Sequence, residues 1–302
     1  MTGVCDGRVV IVTGAGRGLG RCHALEYARQ GAKVVVNDYG VQRDGSEPSS
    51  EAANAVVEEI RAAGGKAVAN ADDVADWDGA ARLVQTALGE FGGLDVLVNN
   101  AGIVRDRMIV STGEDEWDDV VRVHLKGHFA TTRAAAGYWR DRSKTGETVE
   151  ASIVNTSSGA GLLGSIGQGA YSAAKGAIAA LTLVESAELG RYGVTANAIA
   201  PSARTRLTED AFAERMKKPE SGFEVMDPAN VSPLVVWLGS TEARDVTGHV
   251  FELEGGLVSV ADGWHHGPQR VKRERWDPAE LGPVVRELLA ELRAPDPVYG
   301  VS

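Results

Sequence analysis

Short apolar runs rich in β-branched residues alternate along this chain with stretches whose apolar positions have helical spacing. Apolar runs bounded by glycine and polar residues are typical of buried strands, and the regular alternation with helices favours a parallel sheet covered on both faces. The predicted strands are residues 8–13, 33–38, 66–70, 94–99, a strand that begins at Ile153, 194–200 and 250–253.

Helix-start signals mark two regions later in the chain. Ser111 and Glu114 have the spacing of a capping box and predict the start of a long helix towards Tyr138. Residues 277–280 offer an N-cap, a proline and a capping glutamate, and apolar residues follow at helical spacing up to Leu292. We expect this tail helix to bury its apolar stripe against the body of the protein or against another subunit.

Composition narrows the classes of function. The chain has 302 residues, of which 43% are apolar and 24% charged, as in a globular protein with a full core. A formal net charge of −11 argues against a nucleic-acid partner, which needs a basic face. Two cysteines form no disulfide framework, and neither a membrane span nor a secretory signal is evident. We therefore expect a cytoplasmic protein.

A glycine-rich segment directly follows the first predicted strand. It reads Gly14-Ala15-Gly16-Arg17-Gly18-Leu19-Gly20 and opens a helix. Glycines let the backbone approach a pyrophosphate, and the helix N-terminus supplies N–H donors. Asp38 ends the second strand, where its carboxylate can accept hydrogen bonds from a ribose and repel a 2′-phosphate. Arg17 argues for NADP, but no second cation adjoins Asp38, so we expect NAD.

Residues 153–175 carry the candidate chemistry. Tyr171 and Lys175 are four residues apart and share one face of a predicted helix, while Ser158 follows the end of a strand. A neighbouring ammonium lowers the pKa of a phenol, which would make Tyr171 an acid–base group, with Ser158 free to bind a substrate oxygen. The ordinary alternative is an exposed helix pair and a turn serine, and only the rest of the chain decides between them.

Together these residues resemble the short-chain dehydrogenase/reductases from residue 8 to about residue 256. The matching motifs are Thr13-Gly14-x-x-x-Gly18-x-Gly20, Asp73-Val74, Asn99-Asn100-Ala101-Gly102, Ser158 and Tyr171-x-x-x-Lys175. The resemblance implies a Rossmann-type α/β fold in three layers, with a doubly wound, seven-stranded parallel sheet in residues 1–262. Residues 263–302 would then form a helical extension packed on the body or on a neighbouring subunit.

The resemblance also implies roles for particular side chains. It implies hydride transfer with Tyr171 as the acid–base group, Ser158 orienting the substrate oxygen, and Lys175 holding the ribose while acidifying Tyr171. His124 stands where most members have an asparagine that holds a water in a proton relay. The implied NAD-binding residues are Gly14, Gly16, Arg17, Gly18, Leu19, Asp38, Asp73, Val74, Asn100, Ala101, Gly102, Tyr171, Lys175 and Pro201. No metal is implied.

Within the family, the chain is most similar to the dehydrogenase domain of the peroxisomal multifunctional enzymes of β-oxidation. The likeness rests on Asn37-Asp38-Tyr39-Gly40, on Arg122-Val123-His124-Leu125-Lys126-Gly127 and on Ala200-Pro201-Ser202-Ala203. It implies NAD-dependent oxidation of a secondary hydroxyl in a 3-hydroxyacyl-CoA or a steroid-derived CoA thioester. A free hydroxysteroid or small alcohol, or a non-catalytic NAD-binding subunit of a hetero-oligomer, stays open as an alternative.

Two further expectations concern partners. Family members usually assemble as dimers or tetramers through their long helices, so we expect a homodimer or homotetramer. The polar segment 203–223 reads as a flap over a pocket, and it carries basic residues suited to the phosphates of CoA: Arg204, Arg206, Arg215, Lys217 and Lys218. A second basic cluster, at residues 270–275, is expected to be a solvated face.

Overall fold

A single mixed sheet organises the molecule. The computed structural model describes residues 3–40, 49–205, 216–294 and 296–300. Eight strands lie in the order β3-β2-β1-β4-β5-β6-β7-β8. Their bounds are β1 (Val9–Thr13), β2 (Lys33–Asn37), β3 (Lys66–Asn70), β4 (Val96–Asn99), β5 (Ala151–Thr156), β6 (Val194–Ser202), β7 (Val250–Glu254) and β8 (Leu257–Val260).

Helices cover both faces of this sheet, which confirms the predicted doubly wound, three-layer α/β fold. Their bounds are α1 (Gly18–Arg29), α2 (Glu51–Ala62), α3 (Trp77–Phe91), α4 (Glu114–Val121), α5 (Gly127–Lys144), α6 (Gly159–Leu163), α7 (Gly169–Leu189), α8 (Ser232–Leu238) and α9 (Pro278–Ala290). Successive side chains of β1 point to opposite faces of the sheet. Val10 packs with α1, α2 and α8, whereas Ile11 packs with α3 and α5.

The sheet has one strand more than the sequence predicts. Strands β1 to β7 are parallel, and β8 adds an antiparallel edge to β7. Strands β7 and β8 are joined by Gly255 and Gly256, and Gly255 has φ +56°. Paired glycines between two apolar runs are typical of a tight hairpin, so the signal for β8 is present in the sequence. The predicted seven-stranded sheet is therefore correct for the parallel part alone.

The helix predicted from a capping box at Ser111 begins later and is interrupted. It starts at Glu114, where the Gly113 N–H donates to Glu116 Oε2 at 3.0 Å, so the Ser111 box is wrong. One π-helical turn, Arg122–Lys126, separates α4 from α5 and contains His124. Such turns occur often at functional sites, because they displace side chains from the regular helical register.

The tail helix is capped as predicted. The Ala279 N–H donates to Asp277 Oδ1 at 2.8 Å, and the Asp277 N–H donates to Glu280 Oε2 at 3.1 Å. Its apolar stripe is not buried against the body, because Val285 is 46% exposed and Leu289 60% exposed. Packing on another subunit, and a boundary at residue 263, stay predictions.

The basic cluster of the tail is paired within the tail itself. Arg270 pairs with Glu291, and Lys272 Nζ lies 2.6 Å from Glu280 Oε2. Within the described part of the chain, no helix is long and apolar enough to span a membrane.

His23 makes the stability of the fold depend on pH. It is fully buried, with Nδ1 2.9 Å from Ser232 Oγ, and burial lowers its pKa from 6.5 to about 3. The unfolded chain takes up a proton below about pH 6.5 that folded His23 does not. We therefore expect a fall from pH 6.5 to pH 4 to remove about 3 kcal/mol of unfolding free energy through this residue.

Urea unfolding at several pH values measures this contribution of His23 to the free energy of unfolding. His23→Gln, which has no titrating ring, should show a shallower loss of stability with acid than the wild type. The control His266→Gln, at an exposed loop position, should keep the wild-type slope. Equal slopes in all three proteins would contradict the account of His23.

Candidate active site

The candidate site lies at the carboxyl edge of the sheet, where the strand order reverses between β1 and β4. At such a point, the connections that follow two neighbouring strands lead to opposite faces of the sheet, which opens a crevice. Open α/β sheets bind ligands in this crevice. The segments after β1, β4, β5 and β6 all reach this edge. They carry most of the residues that the sequence singles out.

The glycine-rich loop after β1 has no room for a side chain at Gly14, Gly16 or Gly20. Gly14 and Gly18 have φ values of +61° and +53°. A Cβ on Gly14 would lie 2.8 Å from the Cα of Ala101, and one on Gly20 would overlap the Gly14 carbonyl oxygen. The backbone is therefore bare at the N-terminus of α1, which is the form of a phosphate-binding cradle.

Thr13 and Asn100 join the loop after β1 to the loop after β4. Thr13 Oγ1 accepts hydrogen bonds from the backbone N–H groups of Asn100 and Ala101, at 2.9 and 3.1 Å. In return, Asn100 Nδ2 donates to the carbonyl oxygens of Thr13 and Gly14, at 2.9 and 3.1 Å. The Asn100 side chain thus fixes the two loops against each other. Thr13 opens the predicted glycine-rich motif but is not among the residues predicted to bind the cofactor.

Asp38 is held at the rim of the cradle by backbone donors. Its Oδ2 accepts from the Gly16 N–H and its Oδ1 from the Gly40 N–H, both at 2.7 Å. A Cβ on Gly16 would lie 2.7 Å from Oδ2, so glycine is required for this approach. An ionised carboxylate has about four acceptor positions, which leaves Asp38 able to bind further donors. Arg17, at the N-cap of α1, is exposed.

Asp73 connects the loop after β3 to the π-helical turn. Its Oδ1 accepts from the Ala75 N–H at 2.8 Å, and its Oδ2 pairs with Arg122 at 2.7 Å. Val74 is buried, and its Cγ2 lies 3.0 Å from the position of a Cβ on Gly127. Both residues therefore shape the wall beside the crevice.

Ser158, Tyr171 and Lys175 come together at the end of β5. The Ser158 hydroxyl lies close enough to Tyr171 to favour the phenolate form of its side chain, and Lys175 Nζ lies 5.6 Å from the centre of the Tyr171 ring. Ser158 also caps α6, since its Oγ accepts from the Ala160 N–H at 3.2 Å. Lys175 is 2% exposed, and its Nζ donates to the Thr156 carbonyl oxygen at 2.6 Å.

Burial sets the protonation of this group in a direction that the sequence does not predict. Desolvation lowers the pKa of Lys175 from 10.5 to about 7. Desolvation also raises the pKa of Tyr171 above 10, and the hydrogen bond with Ser158 opposes this rise only in part. Lys175 is not among the groups that shift the pKa of Tyr171 here, so its role in acidifying Tyr171 stays a prediction. Burial thus disfavours the charged forms of both residues.

His124 lies behind Tyr171 and is 1% exposed. The two rings meet edge to face with centroids 5.3 Å apart. Nε2 of His124 lies 2.6 Å from the Ile103 carbonyl oxygen and 3.1 Å from its nitrogen, while Nδ1 is buried without a partner among the described residues. Burial, together with the charge of Lys175, holds the pKa of His124 well below 6.5. The imidazole is therefore neutral.

A buried polar network supports the site from below and was missed by sequence reasoning. Asn155 Nδ2 donates to Glu185 Oε2 at 2.7 Å, and its Oδ1 accepts from Asn99 Nδ2 at 3.0 Å. Burial raises the pKa of Glu185 to about 7. The available signal was the asparagine at or next to the end of β4 and β5, because a buried amide requires partners.

Three of the five basic residues of the predicted flap lie among the described residues: Arg204, Lys217 and Lys218. Arg204 and Lys218 pair with the same carboxylate, that of Glu224. Arg206 and Arg215 lie outside the described residues. At the base of this segment, Pro201 and Ser202 end β6 and are half-buried.

Comparisons with known proteins agree with this geometry. The family model for short chain dehydrogenases matches residues 8–215. The chain belongs to the short-chain dehydrogenase family. A crystal structure of a short chain dehydrogenase from Mycobacterium avium superposes with a TM-score of 0.90 at 66% identity, covering 99% of this chain and all of that one. The protein is accordingly an oxidoreductase that acts on CH–OH groups, in a family that binds NAD or NADP.

Two curated relatives have more specific names. The hydroxyacyl-CoA dehydrogenase ChsB1 of Mycobacterium tuberculosis is 45% identical over 293 residues, covering 94% of this chain and 89% of that protein. The peroxisomal multifunctional enzyme type 2 of Mus musculus is 43% identical over 282 residues, covering 93% of this chain. This chain spans only 34% of the length of the mouse enzyme.

The cradle predicts that dinucleotide binding is lost when Gly20 receives a side chain. Gly20→Ala places a Cβ against the Gly14 carbonyl oxygen and 2.5 Å from Asn100 Nδ2, so the loop must shift. We expect affinity for NAD or NADP to fall at least tenfold, measured by calorimetric titration.

Gly89→Ala is the matched control. A Cβ on Gly89, which lies on α3, would meet no atom within 4 Å beyond the backbone of its own helix, so this variant should bind dinucleotide like the wild type. Circular dichroism checks that both variants are folded. Unchanged affinity in a folded Gly20→Ala variant would contradict the assignment of the cradle.

Proposed function

We propose that this protein oxidises the C3 hydroxyl of a 3-hydroxyacyl-CoA to a ketone with NAD as the acceptor. The observation that carries the proposal is the grouping of Ser158, Tyr171 and Lys175 at the edge of the sheet that also carries the glycine-rich loop. The names of the mycobacterial and mouse relatives support the substrate class. A free hydroxysteroid or a small alcohol is the competing substrate.

The residues present fit a dinucleotide. Gly14, Gly16, Gly18 and Leu19 would hold the pyrophosphate at the N-terminus of α1, as bare backbone there favours anions. The Asp38 carboxylate would accept hydrogen bonds from the adenosine ribose, and its charge would disfavour a 2′-phosphate. The remaining positions proposed for the cofactor are Arg17, Asp73, Val74, Asn100, Ala101, Gly102, Tyr171, Lys175 and Pro201.

In the proposed reaction, Ser158 and Tyr171 bind the substrate hydroxyl together. The Ser158 hydroxyl lies near enough to Tyr171 to affect its pKa, so a substrate oxygen between the two side chains would contact both. Tyr171 then accepts the hydroxyl proton as the carbon is oxidised. Bound NAD⁺ supplies the hydride acceptor and a positive charge, which favours the phenolate form of Tyr171.

Lys175 and His124 act on Tyr171 from behind in this proposal. Because its pKa is about 7, Lys175 can gain or lose a proton near neutral pH. It can therefore take up a proton when Tyr171 becomes a phenolate. The unpartnered Nδ1 of neutral His124 can accept a hydrogen bond from a water. His124 would thereby take the relay place that an asparagine holds in most family members.

We also propose self-association through α5 and α7, as the family resemblance implies. Their outer faces carry apolar side chains in solvent, with Phe129 45%, Leu183 54% and Val184 50% exposed. A homodimer or homotetramer would cover them. A cytoplasmic location remains our proposal from the two free cysteines, Cys5 and Cys22.

A substrate panel tests the proposed function. The purified protein is mixed with NAD and, in separate reactions, with 3-hydroxyacyl-CoAs of both configurations, hydroxysteroids and small secondary alcohols. NADH absorbance should rise fastest with a 3-hydroxyacyl-CoA. Faster turnover of a free steroid would favour the competing substrate, and NAD binding without turnover of any alcohol would indicate a non-catalytic subunit.

The Asp38 carboxylate predicts a preference for NAD over NADP. Asp38→Ala should weaken NAD binding and narrow the gap between the two cofactors, because it removes both the ribose acceptor and the charge that repels a phosphate. Titration of each cofactor measures this. Asp78→Ala, which removes the same charge from an exposed position on α3, is the control. Tighter binding of NADP by the wild type would contradict the assignment.

Tyr171 predicts a large loss of turnover without a loss of cofactor binding. General acid–base groups contribute about 10²–10⁴-fold to rates, so Tyr171→Phe should lower kcat by at least a hundredfold. The NAD dissociation constant should change little, since the ring and its packing remain. Tyr192→Phe, near the far end of α7, should be as active as the wild type. A Tyr171→Phe variant with near-normal kcat would show that another group accepts the proton.

A further inference from the structure

An apolar pocket of about 420 Å³ opens beside the first turn of α7. Gly169 and Ser172, which flank Tyr171 in the sequence, contribute to its lining. The rest of the lining is Met108, Ile109, Val110, Gly164, Ser165, Ile166, Gly167 and Val298. Its size lies in the range of small-molecule sites, and no charged side chain is among the described residues that line it.

One wall of the pocket comes from the end of the chain. We call residues 296–300 the tail strap. The Tyr299 N–H donates to the Gly164 carbonyl oxygen at 3.1 Å, and the Ile166 N–H donates to the Tyr299 carbonyl oxygen at 3.0 Å. These bonds form a parallel bridge between Ser165 and Tyr299. Val298 is thereby placed against Gly164, where a Cβ would lie 3.4 Å from its Cγ1.

The tail strap also contacts the segment that carries Ser158. The Tyr299 ring lies over Gly159, where a Cβ would be 2.6 Å from the Tyr299 hydroxyl oxygen. Gly159 directly follows Ser158 in the chain. The strap therefore touches residues adjacent to Ser158 on one side and lines a pocket beside Tyr171 on the other.

The opposite wall presents apolar side chains to solvent. Met108 is 56% exposed, Ile109 81% and Val110 95%. A backbone hydrogen bond holds this wall to the strap side, since the Arg107 N–H donates to the Gly167 carbonyl oxygen at 2.8 Å. Large apolar side chains left uncovered at the mouth of a pocket are typical of a ligand-binding surface.

We propose that the tail strap is a specificity wall of the substrate site, and that Val298 bounds a pocket for the hydrocarbon attached to the carbinol carbon. The inference rests on the proposed function and adds where the acyl chain or ring system lies. A lining without charges suits hydrocarbon, whereas the phosphates of CoA require cations. The tail, expected from the sequence to serve packing or a subunit contact, would thus select the length of the acyl chain.

Kinetics with substrates of two lengths test the wall. Val298→Trp fills the pocket, so KM for a ten-carbon 3-hydroxyacyl-CoA should rise at least tenfold, while that for the four-carbon substrate changes less than twofold. In the wild type, kcat/KM should rise about fourfold per methylene that the pocket buries. Val260→Trp, on the exposed edge strand β8, is the control. Equal effects of Val298→Trp on both substrates, or none, would overturn the proposal.

A binding measurement separates this inference from the proposed function. A fluorescent fatty-acid analogue is titrated into the wild type, Val298→Trp and Val298→Ala, each with its fold checked by circular dichroism. We expect Val298→Trp to lose at least tenfold in affinity and Val298→Ala to keep binding within about threefold. This result supports the pocket even if no acyl-CoA is oxidised. Equal binding by Val298→Trp and the wild type overturns it, whatever the protein's activity.

Discussion

The burial of the Lys175 amine beneath the carboxyl edge of the sheet is the constraint on which the site depends. It has one hydrogen bond among the described residues, to the Thr156 carbonyl oxygen at 2.6 Å, and burial lowers its pKa to about 7. The same dry environment keeps His124 and His128 neutral, with the pKa of His128 lowered to about 3. A buried charge has its greatest cost in free energy where water is excluded. A change of charge at Tyr171 therefore strongly affects the protonation of Lys175, His124 and His128.

The surrounding structure keeps this region rigid. The loops after β1 and β4 are joined through Thr13 and Asn100, and the strands below them through Asn99 and Asn155. A backbone held by such bonds can present glycines to a ligand without a cost of reordering, which is the advantage of preorganisation. The wall formed by the tail strap is held less firmly than these loops, because only a few contacts of residues 296–300 hold it.

Apolar patterns were enough to predict the parallel strands and most of the helices, and the resemblance of the motifs to a known family predicted the meeting of Ser158, Tyr171 and Lys175. The π-helical turn at His124, the position of Asp73 against Arg122 and the direction of the Tyr171 pKa could not be predicted, since each depends on burial between segments distant in the chain. Tyr299 shows this most clearly. Nothing near it in the sequence indicates that it would lie over Gly159.

Isotope transfer tests the central claim, oxidation of a C3 carbinol, most directly. The protein is mixed with NAD and a 3-hydroxyacyl-CoA that carries deuterium on C3, and the reduced dinucleotide is examined by mass spectrometry. The account predicts one deuterium in each NADH formed and a 3-ketoacyl-CoA that has lost it. NADH without deuterium, or deuterium retained in the acyl product, would contradict it.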